Sequence, residues 1–150
     1  MIIQVDAVPF FEAMADEMNE HPERFQVLGE ADMVAALVMH RPDGSAFVVE
    51  IVFEALRCEG VQAVGVEEAR LADFRMEGLL DAWQTMFDDI RTHGAATGRQ
   101  TINSLVLVGD AIRLRGDDPM GVDKFSRFNQ TLQEYLDGAA RVGATTGGRP

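Results

Sequence analysis

Two apolar segments separated by a tight turn constrain the fold more than any other feature of this sequence. Residues 33–40 are almost wholly apolar, a pattern typical of a strand that is covered on both faces. Residues 41–44, Arg-Pro-Asp-Gly, are a strong turn signal, because proline presets one φ angle and glycine tolerates a positive φ. Residues 47–53 then alternate, and their odd-numbered members form a fully apolar face. The sequence therefore predicts a β-hairpin whose first strand is buried on both sides.

The remaining pattern predicts helices over 9–20, 79–93 and 118–136, and further strands over 56–66, 72–77 and 112–115. Residues 95–109 fit either a buried strand or a short helix. Strands joined mostly by short turns imply an antiparallel sheet, and amphipathic helices need a sheet face to cover. The predicted fold class is therefore α+β, a two-layer sandwich. We expect a single domain over residues 1–137 and a flexible tail over 138–150, which has no apolar periodicity.

The charge balance limits the partners of the chain. Lys and Arg number 13 against 25 Asp and Glu, which gives a net charge of −12. A chain this acidic is repelled by phosphate backbones and by anionic lipid surfaces, so we expect no nucleic-acid partner. The apolar runs are far shorter than the roughly 20 residues that span a bilayer. With a single cysteine and no basic leader, the sequence predicts a cytoplasmic protein without integral membrane association.

Several enzyme classes lack their minimal motifs here. The sequence contains no Gly-rich phosphate loop followed by Lys-Ser/Thr, no GxGxxG after a strand and no GxSxG elbow. His21, His40 and His93 are scattered, with no histidine pair at helical spacing, so no metal site is predicted. His93 lies near a helix C-terminus, where a histidine is favoured by the helix dipole. We expect neither a metal nor a cofactor.

Two acids are the candidates for a catalytic role. Asp73 and Asp110 lie beside apolar sequence, where burial could raise the pKa of a carboxyl group and make it a general base. Cys58 follows Arg57, which could lower the pKa of its thiol. Without a histidine placed to activate it, however, Cys58 is interpreted as a small packing residue.

Large, soft apolar side chains are abundant, with nine Phe and eight Met. Methionine adapts to irregular apolar shapes, so an interior of this kind tolerates a bound ligand. The same composition is also consistent with a filled core. Composition alone leaves both interpretations open.

The order of several short motifs resembles the sterol carrier protein 2 family of lipid-binding domains. These motifs are MNEHPE at 18–23, the Asp-Gly turn at 43–44, ADFRMEG at 72–78 before a helix that carries Trp83, and AIRLRGD at 111–117 before the closing helix. The resemblance covers roughly residues 10–137.

The resemblance implies a sheet of five strands with helices on one face, enclosing an internal apolar tunnel; with the antiparallel pairing that the short turns predict, this gives a five-stranded antiparallel sheet. Members of the family are largely non-catalytic and bind sterols, fatty acids or fatty acyl-CoA. The favoured hypothesis is therefore binding or transfer of a hydrophobic ligand without catalysis, driven by burial of apolar surface. The residues that we expect to line the tunnel are Phe74, Met76, Trp83, Met86, Phe87, Ile90, Phe125, Phe128 and Leu132.

Two other hypotheses remain open at the level of sequence. One is a small enzyme, an isomerase, cyclase or hydrolase of hydrophobic substrates, in which a buried Asp73 or Asp110 acts as the base. The other is a non-catalytic interaction domain with a filled core, whose apolar stripe binds a partner or a second copy of the chain as a homodimer.

Overall fold

A computed structural model describes residues 4–142 of the chain. The helices are α1 (Val8–Glu20), α2 (Glu23–Gln26), α3 (Val66–Ala69), α4 (Leu80–His93) and α5 (Pro119–Asp137), and the strands are β1 (Ala31–His40), β2 (Ala46–Ala55), β3 (Arg57–Ala63), β4 (Phe74–Leu79) and β5 (Ile112–Arg115). The predicted hairpin is present as β1 and β2, which pair from Ala31↔Ala55 to His40↔Ala46. The α+β class and the five strands are confirmed.

The prediction of a purely antiparallel sheet is wrong. The strand order is β3-β2-β1-β4-β5, and β1 pairs with β4 in parallel while the other three pairs are antiparallel. The physical reason is the connection after β3. Parallel strands require a crossover, and residues 64–73 provide it, with α3 packed against β2. The sequence pattern indicates only short turns between neighbouring strands and does not reveal this crossover.

The two faces of the sheet are covered unequally. The inner face, with Ala35, Leu37 and Met39 of β1, belongs to the main core, to which α1, α4 and α5 contribute. The outer face carries a smaller apolar cluster in which Ala36 and Val38 meet Ala69 and Ala72 of the crossover, together with Val48. The strand β1 is thus buried on both faces, as its apolar run predicts.

The α4 helix ends at Gly94, which has a φ of 89° and donates its N–H to the carbonyl oxygen of Ile90. Glycine adopts this left-handed conformation without steric cost, so the predicted stop is confirmed. Residues 95–111, the α4–β5 segment, contain a 3-10 turn (Gly98–Gln100) and a π-helical turn (Ser104–Val108). The helical alternative is therefore the correct one for this part of the chain.

The predicted C-terminal tail lies mostly outside the described residues. Residues 139–142 are helical, and Ala139 and Val142 are buried in the main core. Residues 143–150 are not among those that the structure describes. Within residues 4–142, no helix combines the length and the apolar character that crossing a membrane requires.

Candidate ligand-binding site

The inward face of α4 supplies four of the predicted lining residues. Trp83, Met86, Phe87 and Ile90 follow helical spacing and are fully buried. The indole Nε1 of Trp83 donates a hydrogen bond of 3.1 Å to the carbonyl oxygen of Val38. This bond satisfies the polar end of a buried indole and fixes α4 to the central strand.

The sheet and α5 bring in the rest of the set. Phe74 and Met76 point inward from β4, and the ring of Phe74 meets that of Phe125 edge to face at 5.7 Å. Leu132 is fully buried one turn beyond a kink in α5, where Phe128 has a non-helical φ of −121° and is half-buried. The structure therefore collects the predicted residues in or against one core.

The apolar tunnel that the resemblance implies is not present in the described residues. A side chain that lines a water-sized cavity is accessible to a water molecule inside it. Phe74, Met76 and Trp83 have 0% of their surface accessible, as do Met86 and Phe87. The interior is filled because α1 adds Phe10, Phe11, Met14 and Met18 to the same core.

The α4–β5 segment closes one side of this core. Ile102 and Leu105 are buried in it, whereas Leu107 and Val108 expose 71% and 77% of their surface. The segment forms no strand pairing, so its backbone depends on side chains for many of its hydrogen bonds.

A polar row on α5 holds the segment in place. Asn129, Gln133 and Asp137 are spaced by four residues and therefore lie on one side of the helix. Gln133 Oε1 accepts the backbone N–H of Ile102 at 2.8 Å, and Asp137 Oδ1 accepts the N–H of Ala96 at 3.1 Å. Asn129 Oδ1 accepts from the side-chain amide of Asn103 at 2.9 Å. We call Asn129, Gln133 and Asp137 the clamp.

Sequence reasoning missed the clamp. Its signal was a polar i, i+4, i+8 row beside the apolar stripe of α5, which is indistinguishable in sequence from a solvated helix face.

From α4, Asp89 adds a further attachment, because its carboxylate accepts the backbone N–H of Thr97 at 2.7 Å and the hydroxyl of Thr97 at 2.9 Å. His93 lies 2.9 Å from the same carboxylate.

Burial raises the pKa of the Asp137 carboxyl group above its ordinary value, although the hydrogen bonds from Ala96 and Gln133 oppose this shift. The folded state therefore favours the protonated form. The stability that the protonated Asp137 carboxyl group contributes is complete below the ordinary pKa of an aspartate. It is lost as the pH rises through the raised pKa of the folded state. At neutral pH a buried ionised carboxylate is retained at some cost to stability.

We expect Asp137→Asn to leave the free energy of unfolding unchanged or to raise it by about 1 kcal/mol at neutral pH, since the amide keeps the acceptor and removes the charge. Any advantage of the variant should shrink on acidification, as the wild-type carboxyl group becomes protonated. Asp137→Ala should lose about 1–3 kcal/mol, because the donors of Ala96 and Gln133 lose their acceptor. Urea unfolding at neutral and acidic pH measures both. Equal losses in the two variants would contradict this account.

The catalytic candidates are placed differently from one another. Asp73 Oδ2 accepts the backbone N–H of Val34 at 2.7 Å and lies 3.4 Å from Lys124 Nζ, so its carboxylate links β1 to α5. Asp110 is exposed between the π-helical turn and β5. The structure does not bring these two acids into the predicted lining set.

Cys58 behaves as the packing residue that the sequence predicts. The thiol is buried, and burial raises its pKa to about 11, outweighing the opposite effect of Arg57. A thiol with this pKa is protonated at neutral pH and is a poor nucleophile. Among residues 4–142, no group of His, Cys, Asp and Glu side chains has the arrangement of a metal site.

Two open clefts lie on either side of β5. One, of about 460 Å³, is on the outer face and includes His40, Glu77 and Leu79. The other, of about 550 Å³, runs between β5 and the π-helical turn and includes Val106 and Leu107. Both are bordered by Asp110, Arg113 and Arg115.

Comparison with solved structures identifies the fold. A crystal structure of sterol carrier protein 2 superimposes with a TM-score of 0.69 at 18% identity, covering 91% of this chain and 98% of that chain. The solution structure of a conserved hypothetical protein from Thermus thermophilus, described as possibly a sterol carrier protein, gives a TM-score of 0.70 at 20% identity, covering 93% of this chain and 90% of that chain. No protein-family model and no curated protein matches the sequence. The resemblance inferred from the motifs is confirmed at the level of the fold.

Proposed function

We propose that this protein binds a hydrophobic ligand, a sterol, a fatty acid or a fatty acyl group, between the inner face of the sheet and helices α4 and α5. The proposal extends a likeness of fold, and the name of one similar structure, sterol carrier protein 2, supports the ligand class. The observation that carries it is the α4–β5 segment. It seals a predominantly apolar core with two buried side chains, Ile102 and Leu105, and a few polar contacts.

The free-energy cost of opening at this segment is small enough for an alkyl ligand to offset. Exposing two buried aliphatic side chains costs about 3–6 kcal/mol. Burying an alkyl chain returns about 0.8 kcal/mol per CH₂, so roughly four to eight methylene groups offset that cost. A fatty acyl chain has more than this. Met76 and Met86 then adapt to the ligand, because unbranched thioethers change shape more readily than branched or aromatic side chains.

The other two hypotheses have less support. Asp73 is engaged between Val34 and Lys124, and Asp110 is exposed on a turn, so neither lies in the apolar pocket that the enzyme hypothesis requires. The apolar stripes of α4 and α5 pack into the core of their own chain and are not available to a partner. We therefore retain ligand binding as the proposed function.

Titration with palmitate and with cholesterol tests the proposal through the emission of Trp83, the single tryptophan. We expect a saturable change at tens of micromolar or below, and co-purified lipid in native mass spectrometry of fresh protein. Gln133→Ala should speed association several-fold, because it removes the acceptor of the Ile102 N–H. Gln130→Ala is the matched control, since Gln130 is exposed on the same helix. Absence of any emission change together with absence of co-purified lipid would overturn the proposal.

A further inference from the structure

The two edge strands of the sheet differ in whether their outward backbone groups have hydrogen-bond partners. At the β3 edge, α1 packs along the strand, and the side chain of Asn19 completes the hydrogen bonding of Cys58. Asn19 Oδ1 accepts the N–H of Cys58 at 2.9 Å, and Asn19 Nδ2 donates to the carbonyl oxygen of Cys58 at 3.0 Å. This amide takes the place that a neighbouring strand would occupy. The β3 edge is therefore capped at this residue.

The β5 edge is open as far as residues 4–142 are concerned. The strand pairs with β4 through Ile112 to Arg115, and its other side carries no backbone hydrogen bond to any residue within 4–142. An edge of this kind presents free N–H and C=O groups that can pair with another chain. The two clefts described above flank this edge, so side chains that alternate along an added strand would meet one cleft and then the other.

The charges around β5 are mixed, and the cation among them that has no ion pair with a described residue is Arg113. Glu77 is already paired, with His40 Nε2 at 2.8 Å and Arg115 Nε at 3.3 Å. Arg113 is exposed and makes no ion pair with any residue that the structure describes. Asp110, an exposed carboxylate that borders both clefts, also makes no ion pair within the described residues, so an acidic side chain is favoured beside Arg113 and not along the whole edge. The groove on the other side offers the aliphatic side chains of Val106, Leu107 and Leu114.

We propose that β5 accepts an extended peptide segment of another protein as a sixth strand, with an acidic residue opposite Arg113 and aliphatic residues over Leu114 and Leu107. Main-chain hydrogen bonds supply affinity in this mode of recognition, and the flanking clefts supply specificity. A second copy of this chain is a poorer occupant. The antiparallel β5–β5 registers centred on Arg113 or Leu114 keep the apolar side chains on one face but place arginine opposite arginine, and like charges in that position destabilise the pair.

A fluorescein-labelled peptide of alternating isoleucine and glutamate tests the proposal by fluorescence polarisation. We expect saturable binding, slower amide hydrogen exchange within Ile112–Arg115, and at least about tenfold weaker binding when lysine replaces glutamate. Two backbone-modified peptides serve as internal controls, one N-methylated at every isoleucine and the other at every glutamate. In a strand, alternate N–H groups face the same side, so only one of the two should lose binding.

On the protein side, Arg113→Glu should weaken binding of the peptide at least about tenfold. Arg127→Glu is the matched control, because Arg127 is also exposed but lies on α5. Three results would overturn the proposal: equal binding of both N-methylated peptides, equal binding by the two charge-reversed variants, or sedimentation showing a dimer of the chain that the peptide dissociates. The first two exclude strand addition beside Arg113, and the third assigns the edge to a second copy.

Discussion

Phe87→Ala is expected to lower the free energy of unfolding by about 3–5 kcal/mol, the usual cost of emptying a well-packed aromatic site. Phe87 is fully buried on α4, and its ring meets that of Phe10 at 4.9 Å and that of Phe11 at 6.1 Å. These aromatic contacts join α1 to α4, so the neighbouring rings lose their partner when the side chain is truncated. Urea unfolding measures the loss. Val108→Ala, at a position that is 77% exposed, is the control and should change stability by less than about 0.5 kcal/mol.

The same variant also tests the proposed ligand site. Wild-type protein must displace core side chains before an alkyl chain enters, whereas Phe87→Ala already contains the space. Palmitate should therefore bind several-fold more tightly to the variant, at a temperature where it remains folded. If Phe87→Ala is folded and binds palmitate more weakly than wild type, the ligand does not occupy this part of the core.

Gly121→Ala is expected to destabilise the protein by about 1–3 kcal/mol, the range for overpacking a tight contact. In most helices the same change is favourable by about 1 kcal/mol, because glycine is a poor helix former. Here a Cβ atom would lie 2.5 Å from the carbonyl oxygen of Asp73 and 3.0 Å from its Cα atom. The first turn of α5 rests directly on the backbone that precedes β4, and backbone atoms cannot rotate aside as a side chain can.

Whether Gly121→Ala lowers or raises the free energy of unfolding tests this contact. Gln130→Ala, on the exposed side of α5, reports the propensity of the helix without the contact and should be close to neutral. Thermal or urea unfolding of both variants gives the comparison. Stabilisation by Gly121→Ala would show that the start of α5 does not pack against Asp73 as closely as the structure indicates.

The individual helices and strands of this fold could be predicted from local patterns, whereas the parallel strand pairing that completes the sheet could not. The hairpin of β1 and β2 follows from alternation and a turn signal within about 25 residues, and Gly94 ends α4 for a purely local reason. The pairing of β1 with β4 depends on a crossover of the chain, which periodicity does not encode.

The candidate site shows the same division. The apolar identity of Trp83 and Phe87 marks them as interior residues, but whether interior side chains line a space or fill it depends on how α1 packs against them. The clamp residue Gln133 also looks like an ordinary surface glutamine in sequence. Its contact with the N–H of Ile102 joins parts of the chain separated by 31 positions, and no local rule predicts such a pair.

The parallel pairing of β1 with β4 has a consequence for how the chain reaches this structure. Local contacts form before distant ones, because closing a long loop costs entropy. β1 therefore pairs first with β2. The other side of β1, which is the strand with the most buried residues in the folded sheet, remains a temporary sheet edge until the crossover delivers β4. Exposed apolar edges of this kind promote association between nascent chains. The net charge of −12 opposes such encounters, so the acidic surface protects the molecule while it folds as well as afterwards.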